Sequence, residues 1–318
     1  MSDNSQRMND LMWSYRAARV VHVANSLDIF TILAGRALSA DELAQACSAR
    51  PDLLKKLLIA CCALGLLEKQ QQKYRNTDFA DTYLVAGRQL YQGDIIAHSG
   101  VMWDFWSSLE NEVRLEGTLP VDEAARHRHF IMGMHNIALL GRAEKIAAAV
   151  DLTGRKKLFD VGGGSGTYSL VFCRHNPDLH AVVFDVPDTI ALARQVIAQE
   201  NMSDRVSVRE GSWDVDDFGS DNDVVMLSNV LHGPQSQAGM KLTKAYHSMP
   251  SGAQLLVQEF LLNNDKTGPL IPALFNIMVG AYSRAELCSE IEKAGFGQIR
   301  VILELKEQAA TLISALKP

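Results

Sequence analysis

Three observations predict an α/β protein: a doubly wound sheet of seven strands, the last hairpin antiparallel, preceded by a helical domain that ends in a small wing. The first is Leu158-Phe159-Asp160-Val161-Gly162-Gly163-Gly164-Ser165-Gly166, an apolar run that stops at an acid, dissolves into glycines and feeds a helix start over 168–173. The second is the regular alternation of short apolar runs with helical stretches from residue 156 onward. Units of this kind form parallel sheets covered by helices on both faces. The third is the order helix, helix, helix, two-stranded hairpin before residue 80.

The N-terminal elements follow from periodicity and caps. Residues 8–35 carry Leu11, Met12, Tyr15, Ala18, Val21, Val23 and Leu27 at roughly helical spacing. Ser39-Ala40-Asp41-Glu42 has the serine and glutamate of a capping box and opens a short helix through Ala46. Pro51-Asp52 opens another that runs to Leu66. Leu66–Lys69, the polar Gln70-Gln71-Gln72 and Lys73–Asn76 form the wing. Residues 84–118 are irregular to helical, and 124–150 read as one long helix with Phe130, Met134, Ile137, Leu140 and Ile146. Strands are expected at 157–161, 180–185, 205–209, 223–229, 253–260, 298–304 and 310–316. The last two have no helix between them, so they pair antiparallel at one edge. The expected domains are 1–105 (winged-helix-like, dimerising), 106–150 (linking helices contributing to a substrate pocket) and 151–318 (nucleotide-binding and catalytic).

Composition narrows the function. A 318-residue chain with 47% apolar residues fills a sizeable core. Net charge is −6, which makes no electrostatic case for nucleic acid. The wing region, 39–80, has six basic residues against five acids, too even a balance for a phosphate-binding surface. Packing and dimerisation is the better reading of that domain. Five cysteines with no C-x-x-C pair fit free thiols in a reducing compartment. The segment 1–9 is polar, and the longest apolar run, Leu57–Leu67, has 11 residues, short of a bilayer span. The expectation is a cytoplasmic protein. His127, His129 and His135 match no metal-ligand spacing, so no metal is expected.

The glycine loop discriminates among nucleotides. Gly166 is followed by Thr167-Tyr168, without the lysine of a triphosphate loop. The dinucleotide pattern fails because Thr167 stands where a third glycine is required. Asp160 precedes the glycines, where a carboxylate would repel a pyrophosphate and suits an ammonium. Asp185 closes the next strand and is placed to accept hydrogen bonds from ribose hydroxyls. An amine-bearing nucleoside without phosphate is S-adenosylmethionine. Ligands of such sheets bind beyond the carboxyl ends of the strands. There stand Asp160, Gly162, Gly163 and Gly164, then Asp185 and Val186, Gly211, Ser212 and Trp213, and Ser228 and Asn229, the candidate cofactor-binding set.

Asp160–Gly166 resembles the first motif of class I S-adenosylmethionine-dependent methyltransferases. Phe184-Asp185-Val186-Pro187, Leu227–His232 and Ser283–Leu287 with Ala294-Gly295-Phe296 resemble further segments of the small-molecule O-methyltransferases, the family of plant caffeate and animal acetylserotonin enzymes and many bacterial natural-product enzymes. The resemblance covers nearly the whole chain. It implies a Rossmann-like catalytic domain, a homodimer through the N-terminal domain, and methyl transfer to a hydroxyl of a small, aromatic metabolite. His232 matches the family's general base and Glu259 the acid that orients it. Trp103, Phe130, Met134, His135 and Asn276 fall in segments that line the family's substrate pocket.

Several positions depart from the family pattern. Gly233-Pro234 follows the histidine in place of Asp-Trp, Ser212 replaces the adenine-side acid, and Ala281 stands near a second expected acid. They leave open an alternative, a repurposed homologue that binds S-adenosylmethionine without transferring its methyl group. A metabolite-sensing winged-helix regulator and a nicotinamide dehydrogenase are disfavoured by the charge balance and the broken fingerprint.

Overall fold

A computed structural model describes residues 2–114 and 123–318. The chain divides into two compact units, Met1–Pro120 with Leu262–Ala281, and Val121–Leu261 with Tyr282–Pro318.

The second unit holds a seven-stranded sheet. Its strands are β1 (Lys157–Val161), β2 (His180–Asp185), β3 (Val206–Glu210), β4 (Val224–Ser228), β5 (Gln254–Glu259), β6 (Gly297–Leu305) and β7 (Ala310–Leu316). The order is β3-β2-β1-β4-β5-β7-β6. The first five run parallel, and β7 pairs antiparallel with both β5 and β6, so the final hairpin folds back as expected. The central strands are near-continuous apolar runs because helices cover both faces. Side chains alternate between two cores: Leu158, Val224 and Met226 on one face, Phe159, Val161, Val225 and Leu227 on the other. The strand order reverses between β1 and β4, and sheets of this kind bind ligands beyond the carboxyl ends at such a switch point.

The helices Thr167–His175, Pro187–Gln199, Ala238–His247 and Arg284–Lys293 flank this sheet. Arg284–Lys293 starts at a reciprocal capping box, in which the Ser283 hydroxyl accepts from the Glu286 N–H and Glu286 accepts from the Ser283 N–H. The expected long helix over 124–150 is interrupted. Helix Glu123–Ile137 passes into a π-turn, Ala138–Arg142, before Ala143–Ala148. Gly141, at φ 95°, supplies the backbone freedom for that break.

In the first unit, helix Ser2–Ser26 ends ahead of Asp28, whose φ of 54° breaks the helix expected over 8–35. Ile29–Ile32, Ala40–Ala46 and Pro51–Ala63 follow. The Ser39–Glu42 capping box forms as expected. The wing strands Leu67–Gln70 and Lys73–Asn76 pair antiparallel around Gln71 and Gln72, both at positive φ, a turn that suits the strand twist. A third short strand, Leu38–Ser39, joins them, a pairing that local pattern does not signal. Helix Leu270–Val279, remote in sequence, packs on Pro51–Ala63 within this unit. Among the described residues, no helix is long and apolar enough to cross a membrane.

Candidate active site

The glycine loop turns off the end of β1. Gly162 donates its N–H to the Phe184 carbonyl at 2.8 Å, which ties the loop to β2. Gly162, Gly164 and Gly166 have φ of 65°, 58° and 79°, in the left-handed region that glycine alone enters cheaply. A Cβ on Gly162 would lie 2.6 Å from a Val230 methyl carbon and 2.9 Å from the Trp213 ring, and one on Gly164 would meet nothing within 4 Å. The loop is therefore closed at its first glycine and open at its third. Gly162→Ala is expected to weaken S-adenosylhomocysteine binding about tenfold or more, from strained φ and the clash together. Calorimetry reads this directly, and unchanged affinity would show that the loop does not shape the donor site.

Asp160 lies beneath the loop rather than in it. Its carboxyl group is fully buried, and Oδ2 accepts from the Ser169 hydroxyl at 2.8 Å. Oδ1 has no hydrogen-bond partner among the described residues. Burial pushes this carboxyl up to about 6, the Asp185 charge adds to the rise, and the Ser169 hydrogen bonds oppose it. The folded value lies above the unfolded one, so the native state binds the extra proton between about pH 4 and 6. Stability from this group is greatest at the acid end and falls as pH rises through 6. Two units correspond to about 3 kcal/mol. Melting curves from pH 4 to 7 should decline more steeply for the native protein than for Asp160→Asn. Parallel curves would remove this penalty from the account.

Asp185 is tied to the loop. Oδ2 accepts the Gly164 N–H at 3.0 Å and Oδ1 the Val186 N–H at 2.8 Å. Burial raises this carboxyl above its ordinary range, opposed by those hydrogen bonds and one from Thr189. Thr189 is in turn bonded to His127 Nε2 at 3.1 Å, a support with no signal in the sequence. Val186 is exposed beside it.

Gly211 follows β3, with its N–H on the Asp185 carbonyl at 3.0 Å. A Cβ there would fall 2.4 Å from the Phe184 ring. Ser212 has no carboxylate of its own, but its N–H is held by Asp216 Oδ2 at 2.8 Å. Asp216 thus brings an acid to the turn after β3, and the acidic run Asp214-Val215-Asp216-Asp217 was the available signal. The Trp213 ring lies under the Lys241 ammonium, 4.5 Å from its centroid. Lys241 is itself buried and donates to the Val230 carbonyl at 2.9 Å, while Lys244 holds the Trp213 carbonyl at 2.6 Å.

Ser228 and Asn229 end β4, and their side chains converge on Gln258. Gln258 Oε1 accepts from Ser228 Oγ at 2.7 Å, Asn229 Nδ2 at 3.2 Å and Tyr168 Oη at 3.2 Å. Its Nε2 donates to Asn229 Oδ1 at 3.3 Å, closing an amide–amide ring. Asn229 takes φ 54°, a left-handed conformation asparagine tolerates. Gln258 is fully buried, a polar residue within the apolar run of β5.

His232 follows this turn. Its Nδ1 lies 3.2 Å from Glu259 Oε2, and Glu259 Oε1 accepts the Leu231 N–H at 2.7 Å. The Glu259 side chain is 1% exposed and that of His232 28% exposed. One face of the imidazole stacks on Phe260, centroids 4.8 Å apart and planes inclined by 17°. Glu259 thus holds the ring by one edge and Phe260 holds it by one face. Gly233 continues in extended conformation into the short turn Pro234–Ser236.

The remaining candidates separate. Phe130 and Met134 lie four apart on helix Glu123–Ile137 and are exposed. His135 Nδ1 is bonded to Thr167 Oγ1 at 2.7 Å, and Thr167 to Ser165 at 2.8 Å, so this histidine braces the glycine loop. Burial holds it below the usual imidazole range. Trp103 and Asn276 belong to the other unit. Trp103 packs edge-on against His22, and buried Asn276 accepts the Ala281 N–H at 3.1 Å. Among the described residues no cluster of three or more His, Cys, Asp or Glu side chains could hold a metal.

A glycine loop without a lysine, an acid beneath it, a carboxylate at the end of β2 and a histidine–glutamate pair past β4 are the features that the sequence resemblance leads one to expect of an S-adenosylmethionine-dependent methyltransferase. The loop carries no cation and Asp185 offers only acceptors, which fits a nucleoside that donates hydrogen bonds. Comparison with known proteins specifies the class. Residues 118–296 match the O-methyltransferase domain and residues 9–86 the O-methyltransferase dimerisation domain. The chain is 32% identical over 327 residues to 3-hydroxy-5-methyl-1-naphthoate 3-O-methyltransferase of Streptomyces sahachiroi, covering 98% of this chain and 94% of the relative. It is 28% identical to acetylserotonin O-methyltransferase of Bos taurus over 90% of each chain. Among solved structures, an O-methyltransferase family 2 protein from Planctomyces limnophilus in complex with apigenin superposes with a TM-score of 0.82. It is 26% identical, covering 98% of this chain and 96% of that one. The chain belongs to the O-methyltransferase family. It is a methyltransferase, and S-adenosylmethionine is its cofactor.

Proposed function

We propose that the protein methylates a hydroxyl of a small aromatic metabolite, with His232 as general base, and works as a homodimer through its N-terminal domain. The observation that carries the reading is the His232–Glu259 pair, in which a buried carboxylate receives Nδ1 and is itself fixed by the Leu231 N–H. A proton on Nδ1, given to Glu259, leaves Nε2 free to accept one. S-adenosylmethionine, when bound, supplies an electrophilic methyl group on a positively charged sulfur.

Around it, Gly162, Gly163 and Gly164 would let the backbone approach the donor, and Asp185 would take its ribose hydroxyls. Gly211, Ser212 and Trp213 would take the adenine, with Asp160, Val186, Ser228 and Asn229 completing the site. His232 would accept the acceptor hydroxyl's proton at Nε2 as negative charge develops on oxygen, and Glu259 would stabilise the resulting imidazolium. Trp103, Phe130, Met134, His135 and Asn276 are the proposed substrate contacts. Residues 1–105, 106–150 and 151–318 would divide the work as dimerising, linking and catalytic segments, with 262–281 returning to the N-terminal unit. Localisation in the cytoplasm fits this chemistry.

The acceptor atom separates this reading from its neighbours, because relatives include an N,N-dimethyltransferase from Streptomyces rimosus and an L-tyrosine C(3)-methyltransferase from Streptomyces lavendulae. The test is transfer of isotopically labelled methyl to a panel of phenols, aryl amines and electron-rich ring carbons. Labelled methyl ethers are expected. Label found only on nitrogen or carbon would overturn the hydroxyl assignment.

A further inference from the structure

Helix Ala238–His247 buries Ala238, Lys241, Leu242 and Ala245, a stripe at the three- and four-residue spacing of one helix face. The lysine is the exception among apolar residues, and lysine is almost never buried without a partner. Lys241 is 4% exposed, and its partners are a carbonyl and an aromatic ring. Burial lowers its pKa, and the charges of Asp214 and Glu259 oppose that fall.

The ammonium donates to the Val230 carbonyl at 2.9 Å, and the N–H of that same peptide group, on Leu231, donates to Glu259 Oε1 at 2.7 Å. A trans peptide is planar, and its C=O and N–H point opposite ways. The 230–231 peptide is therefore clamped from both sides, by an ammonium at its oxygen and a carboxylate at its nitrogen. Hydrogen bonds to charged groups are the stronger kind. The clamp fixes the turn that runs from Asn229 to His232, and the same glutamate receives His232 Nδ1 at 3.2 Å. The Lys241 ammonium also lies 4.5 Å from the Trp213 centroid. Trp213 and Val230 meet at the glycine loop, where a Cβ on Gly162 would strike both. One buried cation thus holds the ring and the peptide that together close the loop at its first glycine.

We propose that Lys241 is a positioning residue for methyl transfer, a single cation that holds the wall of the donor site and the turn carrying His232 in one arrangement. The inference rests on the reading of Trp213 as a contact of the adenine and of His232 as the base. It assigns a task to a buried charge that neither role uses.

Lys241→Met keeps the apolar stem of the side chain and removes its charge and its donors. Calorimetry on the full-length protein should show S-adenosylhomocysteine binding about tenfold or more weaker, the loss expected when a hydrogen bond to a charged group goes. The imidazole nitrogen signals of His232 in NMR spectra, assigned by their loss in His232→Ala, should move in the same variant. Lys241→Arg, which keeps a cation and N–H donors, should restore most of the affinity and bring those signals back. Lys241→Gln, with a neutral donor, should fall between, and it takes the place of Lys241→Met if that variant fails to fold. Thermal melts identify the folded variants.

Native affinity and unmoved imidazole signals in folded Lys241→Met would overturn the proposal. Equal losses in the methionine and arginine variants would also overturn it, by making Lys241 a packing element alone. An effect confined to the donor or to His232 would do the same, because one cation would then not serve both. Weaker binding and moved signals in Lys241→Met, alongside full turnover in His232→Ala, would support the clamp while refuting the base.

Discussion

His232→Ala is expected to lower kcat by about 10²–10⁴-fold, with the affinity for S-adenosylhomocysteine kept within about twofold. The split follows from position. The imidazole lies past β4, held by Glu259 and Phe260, and makes no hydrogen bond with the glycine loop or Asp185 among the described residues. An unactivated phenol is mostly protonated at neutral pH, so loss of a positioned acceptor for its proton falls on the chemical step. Single-turnover measurements with a labelled methyl donor separate this from slower product release. A variant that kept full turnover would remove His232 from the chemistry and leave it a structural partner of Glu259.

Glu259→Gln should be nearly as damaging, by about 10²-fold or more in kcat, although it changes one atom. The glutamate is buried, and each of its oxygens has a separate task. If the new amide keeps its oxygen on the Leu231 N–H, it presents an NH₂ group to His232 Nδ1. That donor favours the tautomer with its proton on Nε2, where the ring can no longer accept one. If the amide flips, the Leu231 N–H loses its acceptor, and an unsatisfied buried donor costs about 1–3 kcal/mol. Either outcome impairs the pair, and they differ in readout. The first lowers kcat with little loss of stability, and the second lowers the melting temperature as well. Wild-type kcat in Glu259→Gln would show that the carboxylate does not set the state of His232.

Much of this was legible in the sequence because it is local. Most of the seven strands are rich in Val, Leu, Ile and Phe and bounded by turn residues, and the observed limits of all seven lie within one residue of expectation. The Ser39–Glu42 capping box announced a helix start through chemistry confined to four residues. Asp160, Asp185, His232 and Glu259 each close or follow a strand, and parallel alignment of the strands brings such ends together. What escaped depends on long-range or conformational detail. Nothing near Leu38 signals its pairing with Tyr74, and nothing near Leu270 signals that its helix returns to the N-terminal unit. The breaks at Asp28 and Gly141 each turn on a single backbone angle within a pattern that reads as continuous helix. Asp216, Gln258 and Phe260 were missed because their roles arise from partners brought close by the fold.

The neighbours Gln258 and Glu259 share one strand but face opposite ways, because side chains alternate across a sheet. Gln258 reaches Ser228 and Asn229, which we propose face the methyl donor, and Glu259 reaches His232, the proposed base. A slip of β5 by one residue would set an amide against the base and a carboxylate among the donor-side amides, spoiling both at once. The strand is clamped against such a slip by parallel pairing with β4 and antiparallel pairing with β7. On the proposed function, it therefore works as a common ruler for two half-sites. Acceptor preference can drift through the surrounding helices and the turn at Pro234–Ser236, while the alignment of donor pocket and base stays calibrated by the sheet.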